Sequence, residues 1–288
     1  MASLRDIRLR IRNFRNTQKI TKAMQVVAAT RLRRAQAGVQ AARPYAEKML
    51  EVLETTAERA AEYRHPYLGL RRGDRALVIL ITTDKGLVGA LNANTLRAVH
   101  RYVNENHGGQ ASYVCIGRKG RDLERRLRRQ IIAEVTGVPD RPRLHSILPS
   151  LAAALEEFDQ GRVDVILLAY ERWVSTLRQE PVVRTLVPMV LPPLEHPAPP
   201  ADYIYEPDPE PVLDALLPRY VESQVYQALL ENQASEYSAR MIAMQNATDA
   251  AGDLIKSLTL TANKLRQAGI TTELMEIVGG AEALRASN

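Results

Sequence analysis

Cysteine occurs once, at Cys115, so no disulfide can form within the chain. A single thiol fits a reducing compartment. No stretch approaches the ~18 consecutive apolar residues that suggest a membrane span. The N-terminus lacks the apolar core of a secretory signal. It is amphipathic and Arg-rich, as a transit peptide would be, but the same pattern runs on for forty residues, far past the extent of one. The histidines, His65, His100, His107, His145 and His196, form no i,i+4 pair and have no cysteine nearby, which argues against a metal site. Acid is nearly missing from residues 1–43, where Asp6 stands against eleven Arg or Lys. That segment carries +10 while the whole chain carries +6, leaving −4 for the remainder. The basicity belongs to one element, which suggests an acidic partner for it.

Apolar or small side chains recur through the same segment at alternating steps of three and four. The positions are Leu4, Ile7, Ile11, Phe14, Gln18, Thr21, Gln25, Ala28, Leu32, Ala35, Val39 and Ala42. This narrow 3.5-residue seam is the mark of a coiled coil. Gln18, Thr21 and Gln25 interrupt it, and polar seam residues fix register at some cost in stability. Pro44 should kink or break the helix, yet the helical pattern resumes after it, so the expectation is a bent helix over about residues 3–62. After Pro218 no further proline occurs, and a stripe runs through Ala239, Ala243, Ala247, Ala250, Leu254, Leu258, Ala262 and Leu265. Its small residues allow close approach of a second helix. Two long helices at opposite chain ends, each with a narrow seam, can pair with each other.

Between them the texture alternates. "RALVILITTD" (75–84), "SYVCIG", "IIAEVTG", "DVILLAY" and "VVRTLVPMV" read as strands, with helical patterns between most of them. This predicts an α/β layer with a mostly parallel sheet. "LPPLEHPAPPADYIYEPDPEP" is a proline-rich connector. A helix over residues 219–284 would be ~100 Å long at 1.5 Å per residue. A compact chain of this length has a diameter of roughly 50 Å, from a radius of gyration near ~19 Å. Such a helix cannot fit inside, so the narrow seams favour a two-helix shaft outside an α/β body. The segments are 1–70 (N-terminal coiled-coil helix), 71–200 (α/β domain) and 201–288 (connector and C-terminal coiled-coil helix).

No catalytic constellation emerges. "TTDKGLVGALN" (82–92) offers a Gly86-x-x-Gly89 turn, which is neither the dinucleotide fingerprint nor a Walker A loop. It reads as a tight turn that lets strand and helix pack. Cys115 sits in an apolar strand and reads as core, and "RRLRR" (125–129) reads as a solvated helix face. The basic helix admits two readings. One is nucleic-acid binding, as in a basic region ahead of a zipper, although here the seam runs through the basic part itself. The other is a shaft sheathed by protein bearing acidic groups. An α/β nucleotide-binding enzyme with helical arms is disfavoured by the incomplete glycine loop.

Three stretches carry a specific resemblance: "KITKAMQVVAATRLRRAQ" near the start, "DKGLVGALN" in the middle, and the long run from "YIYEPDPEP" through "NKLRQAGITTEL" to "GGAEAL". Over nearly its whole length the chain resembles the gamma subunit of F-type ATP synthase, of the plain bacterial type. Departures are small. Val88-Gly89 stands where the family often has Cys-Gly, and Ala268-Gly269-Ile270 where it often has Ala-Ala-Ile or Ala-Ser-Ile. With one cysteine, the regulatory cysteine pair of the chloroplast form is not expected.

The resemblance implies a central rotor shaft with no active site of its own. Its two long helices would form an antiparallel coiled coil inside a head of alpha and beta subunits. The α/β domain would lie below, against the epsilon subunit, with its foot on the c-ring and its membrane association made through partners on the cytoplasmic face of the plasma membrane. Nucleotide and magnesium would belong to partner subunits, with no cofactor and no nucleic acid bound by this chain. Arg240, Gln267 and Thr271 fall at family positions that catch a beta subunit. The spacing itself places Gln267 and Thr271 one helical turn apart, with Arg240 about 40 Å away along a straight helix. Met24 would contact the head, and Tyr203, Tyr205 and Glu206 would form the foot on the ring.

Overall fold

The computed structural model describes residues 3–60, 63–69, 73–189 and 208–286, leaving aside the side chains of residue 280 and residues 282–286. In chain order the elements are α1 (Leu4–Arg59), β1 (Ala76–Ile81), α2 (Leu91–Asn106), β2 (Ala111–Ile116), α3 (Arg118–Arg126), β3 (Ile131–Val135), α4 (Leu148–Asp159), β4 (Val165–Trp173), β5 (Gln179–Val187) and α5 (Pro209–Ala286). Two compact units divide the chain. One joins residues 1–27 to residues 241–288, and the other is Ala28–Arg240. These boundaries fall inside α1 and α5, where the two terminal helices pair with each other.

In the first unit α1 opens with a capping box. Ser3 Oγ accepts from Asp6 N, and the Asp6 carboxylate accepts from Ser3 N and Oγ. Those bonds hold the Asp6 carboxyl below the usual carboxylate range. Ile7, Ile11 and Ala262 are buried, with Leu4, Ile255, Leu258 and Leu265 packed around them. Farther along α1 the pairing turns polar. Thr21 and Thr248 share a hydroxyl hydrogen bond of 2.7 Å, Gln18 Nε2 donates to Thr248 O at 3.4 Å, and Gln25 Nε2 donates to Gln245 Oε1 at 3.4 Å. Rising numbers on α1 meet falling numbers on α5, so the pair is antiparallel.

Every expected seam residue of α1 is buried or half-buried in its own unit. The expected α5 stripe holds at Leu258, Ala262 and Leu265, and Ala239, Ala243 and Ala247 are half-buried, but Ala250 and Leu254 are exposed. There the seam runs one residue later, through Met244, Thr248, Ala251 and Ile255, before rejoining the stripe at Leu258, in steps of four and three.

Both of these prolines lie inside helices: Pro44 in α1 and Pro218 in α5, which starts ten residues earlier than the sequence suggested. An interior proline costs about 3 kcal/mol. Around Pro218, Leu213, Leu217, Val221 and Val225 are all fully buried. At roughly 1.5–3 kcal/mol per buried aliphatic side chain, their packing outweighs that cost.

The second unit holds a five-stranded sheet of order β3-β2-β1-β4-β5. All pairings are parallel except β4 with β5. No helix separates those two strands, so they close as a hairpin through residues 174–178, with Val174 N and Ser175 N both donating to Arg178 O. Alternate residues feed two cores. Leu77, Ile79, Ile81, Val114 and Leu168 face α4 and the body segments of α1 and α5, where Phe158, Leu53 and Leu217 meet them. Val78, Leu80, Tyr113, Cys115 and Leu167 face α2 through Leu96, Val99 and Val103. Cys115 is a core residue, and burial pushes its thiol up to about 12.

Candidate functional site at the carboxyl ends of the strands

In open α/β sheets, ligands bind beyond the carboxyl ends of the strands, with anions held on helix N-terminal amides. Here those amides are already engaged. Arg118 N donates to Asp84 Oδ1 at 3.0 Å, Lys119 N to Thr83 O at 3.0 Å, and Gly120 N to Thr82 Oγ1 at 2.8 Å. The other Asp84 oxygen accepts from Val138 N at 2.8 Å. A carboxylate therefore stands where a phosphate would be bound, and it ties the loop after β1 to α3 and to the loop after β3. Asn92 fixes the same loop from α2 by accepting from Thr83 N and donating to Thr83 Oγ1.

Glycine matters here at positions the sequence reading passed over. A Cβ on Gly117 would lie 2.1 Å from Thr82 O, at a φ of +105°. A Cβ on Gly120 would meet Leu80 and Thr82 at 2.9 Å. Gly86 and Gly89, the pair singled out earlier, make no such approach; Gly89 serves the turn through its φ of +58°. The available signal was "GRKG" directly after a strand.

The same edge of the sheet holds α5. On one side Asn232 Oδ1 accepts from Glu171 N, Ser235 Oγ donates to Glu171 O, and Ser238 Oγ accepts from Trp173 Nε1 at 3.1 Å. Farther back along β5, at the level of Leu168, Arg184 donates to Gln224. On the other side Gln233 Nε2 donates to Pro139 O at 3.0 Å, Tyr237 OH to Asp140 Oδ1 at 2.8 Å, and Arg240 Nη2 to Gly86 O at 3.3 Å. Tyr226 OH reaches Pro142 O. Asp140 Oδ1 also accepts from Arg31 of α1 at 3.0 Å. Burial raises the Tyr237 hydroxyl above its ordinary value, and the bond to Asp140 raises it further. Between these groups lies a cavity of about 280 Å³, rimmed by Lys85 and Arg118.

Arg240 is 8% exposed and is engaged within its own unit, pairing with Glu236 Oε1 at 2.7 Å and lying over the Tyr237 ring. Burial raises the Glu236 carboxyl, and Arg240 opposes that rise. Gln267 and Thr271 belong to the other unit. Both are exposed, and Thr271 Oγ1 donates to Gln267 O at 3.0 Å, as their spacing of one turn requires. Met24 is half-buried on α1. Tyr203, Tyr205 and Glu206 lie outside the described residues. Among the described residues, no helix is long and apolar enough to cross a membrane, and no cluster of His, Cys, Asp or Glu suits a metal ion.

Two units define the class: a coiled-coil pair made from the two chain ends, and an α/β body whose strand ends are bonded to its own side chains. Comparison with known proteins narrows it. The family model described as ATP synthase matches residues 3–284. An ATP synthase gamma chain from Ralstonia nicotianae is 46% identical, covering 99% of this chain and all of the relative. One from Nitrosomonas europaea is 43% identical with the same coverage. The chain belongs to the ATP synthase gamma chain family. Among solved structures, a chain of the Euglena gracilis mitochondrial ATP synthase (OSCP/F1/c-ring, rotational state 3) shares the fold with a TM-score of 0.68 at 19% identity, covering 99% of this chain and 95% of its own. A chain of the Tetrahymena thermophila central stalk and c-ring gives 0.59 at 24% identity, covering 79% of this chain.

Proposed function

We propose that this chain is the central rotor shaft of a proton-translocating ATP synthase, transmitting torque between a membrane c-ring and a catalytic head of alpha and beta subunits. The observation that carries the reading is family membership along the full length, in a chain whose two ends pair as an antiparallel coiled coil. Such a shaft couples distant sites mechanically: an asymmetric element favours different nucleotide affinities in successive catalytic sites as it turns. The chain then performs no chemistry itself, and nucleotide and magnesium are held by its partners. Asp84 supports this, because the amides a phosphate would need are taken. The exposed arginines of α1 suit an acidic collar. The nucleic-acid reading gains no support from family membership.

In this reading the complex sits on the cytoplasmic face of the plasma membrane, with the epsilon subunit against the α/β body and Tyr203, Tyr205 and Glu206 on the ring. Met24 faces the head. Arg240, Gln267 and Thr271 contact beta subunits, and Arg240 must exchange Glu236 for a partner carboxylate to do so. The test is reconstitution with alpha and beta subunits from the same source and a bead fixed to the α/β body. ATP-driven stepwise rotation is the expected result; a head that hydrolyses ATP without turning the bead would refute the reading.

A further inference from the structure

We propose that the stretch Asn232–Arg240 of α5 is the torque-bearing joint of this protein, where the α/β body holds the shaft helix against rolling about its own axis. The inference rests on the rotor reading above. An apolar helix interface is non-directional, so a helix lying on one core face resists separation better than it resists rolling. Hydrogen bonds are directional and weaken steeply off axis. Their placement around α5 therefore decides how well rotation of the body is passed to the helix.

At about 100° per residue, from 3.6 residues per turn, Asn232, Ser235 and Ser238 centre on one face. Gln233, Tyr237 and Arg240 centre on another, about 170° away by the same geometry. The first face bonds to the carboxyl end of β4, at Glu171 and Trp173. The second bonds to the loops after β3 and β1, at Pro139, Asp140 and Gly86. Rolling α5 in either direction stretches bonds on both faces at once. A single bonded face would let the helix pivot on that line. Ser235 and Ser238 are fully buried and Asn232 nearly so, which keeps water from replacing the lost bonds. Asp140 also holds Arg31, so the second face ties α1 to the same joint.

The stall test uses the assembled enzyme, with the head fixed and a bead on the α/β body. Tyr237→Phe combined with Ser238→Ala removes one bond from each face while leaving ring and helix in place. Asp140→Asn is the control, since its amide oxygen still accepts from Tyr237 and Arg31. The double variant should at least double the variance of bead angle at stall and lower protons pumped per ATP hydrolysed, with unloaded ATPase kept. Asp140→Asn should match the unaltered chain. Unchanged angular variance in assembled double-variant complexes would overturn the joint, even if their thermal stability falls. If complexes with the unaltered chain fail to rotate, the rotor reading fails instead.

Discussion

Replacing Glu171 with glutamine asks what a buried carboxyl does to the α/β body. Glu171 is 1% exposed on β4, and its side chain takes one bond, 2.8 Å from Thr95 Oγ1 of α2. Burial pushes its carboxyl from the ordinary 4.5 up to about 7, with the Thr95 bond opposing the rise. The folded chain thus keeps this proton over a pH range in which the unfolded chain has released it. For this group, stability is full below pH 4.5, falls as pH rises from 4.5 to 7, and stays lowered above 7. At 1.36 kcal/mol per pH unit the complete loss is about 3 kcal/mol. Glutamine has no proton to release, so its curve lacks this term. Glu231 and Glu236, also raised by burial, titrate in both proteins and cancel in the comparison.

Trp173 is the sole tryptophan, two residues along the same strand, and reports unfolding of this unit by fluorescence. Urea unfolding of the full chain should show Glu171→Gln gaining on the unaltered chain by about 2–3 kcal/mol between pH 5 and pH 8. That corresponds to roughly 1 M in midpoint for a slope near the upper end of the usual range. The absolute offset also includes the partner that the new amide needs, so the change with pH is the informative quantity. Midpoint differences that stay constant across that range would refute the buried-proton account.

Three further outcomes follow from the geometry. Gly117→Ala should cost upward of about 3 kcal/mol because its Cβ would strike the Thr82 carbonyl, whereas Gly89→Ala, in open space, should cost about 1 kcal/mol; equal losses in urea unfolding would contradict this. Thr21→Val and Thr248→Val should show a coupling of about 1 kcal/mol in a double-mutant cycle, modest because each hydroxyl keeps a main-chain acceptor, at Gln18 O and Met244 O; strict additivity would exclude the hydroxyl pair as a register device. The purified chain should show no saturable heat with millimolar ATP, and micromolar stoichiometric binding would show that Asp84 does not close the phosphate end.

How far the sequence was readable depended on contrast between side chains. The α1 seam stood out because Leu4, Ile7, Ile11 and Phe14 are large apolar groups among arginines. The α5 seam was legible at Leu258, Ala262 and Leu265 but not before them, because alanine recurs on several faces and two stripes one residue apart look alike there. Burial selects the stripe containing Met244 and Ile255, and Leu254 of the other stripe is 46% exposed. The all-buried run of β1 was plain. The reversal of β5 was not read out, since direction is set by the connection, and residues 174–178 are too few for a crossover helix.

The joint on α5 was hidden for a different reason. Asn232, Gln233, Ser235 and Ser238 are polar residues of the kind that usually face solvent on a helix, yet all four are buried. Three of them bond to main-chain atoms at 139 and 171, which no side-chain pattern reveals. These bonds also serve the backbone groups at the strand ends of the Rossmann-like body. The carboxyl ends of its strands present the usual unpaired amides and carbonyls, and such groups must find partners when buried. In an enzyme of this fold a ligand supplies them. Here Asp84 takes the amides of Arg118 and Val138, while α5 takes the carbonyls of Gly86, Pro139 and Glu171. At that edge the chain's own helix takes part of the bonding, so the backbone geometry that elsewhere helps hold a small molecule here makes an attachment to α5.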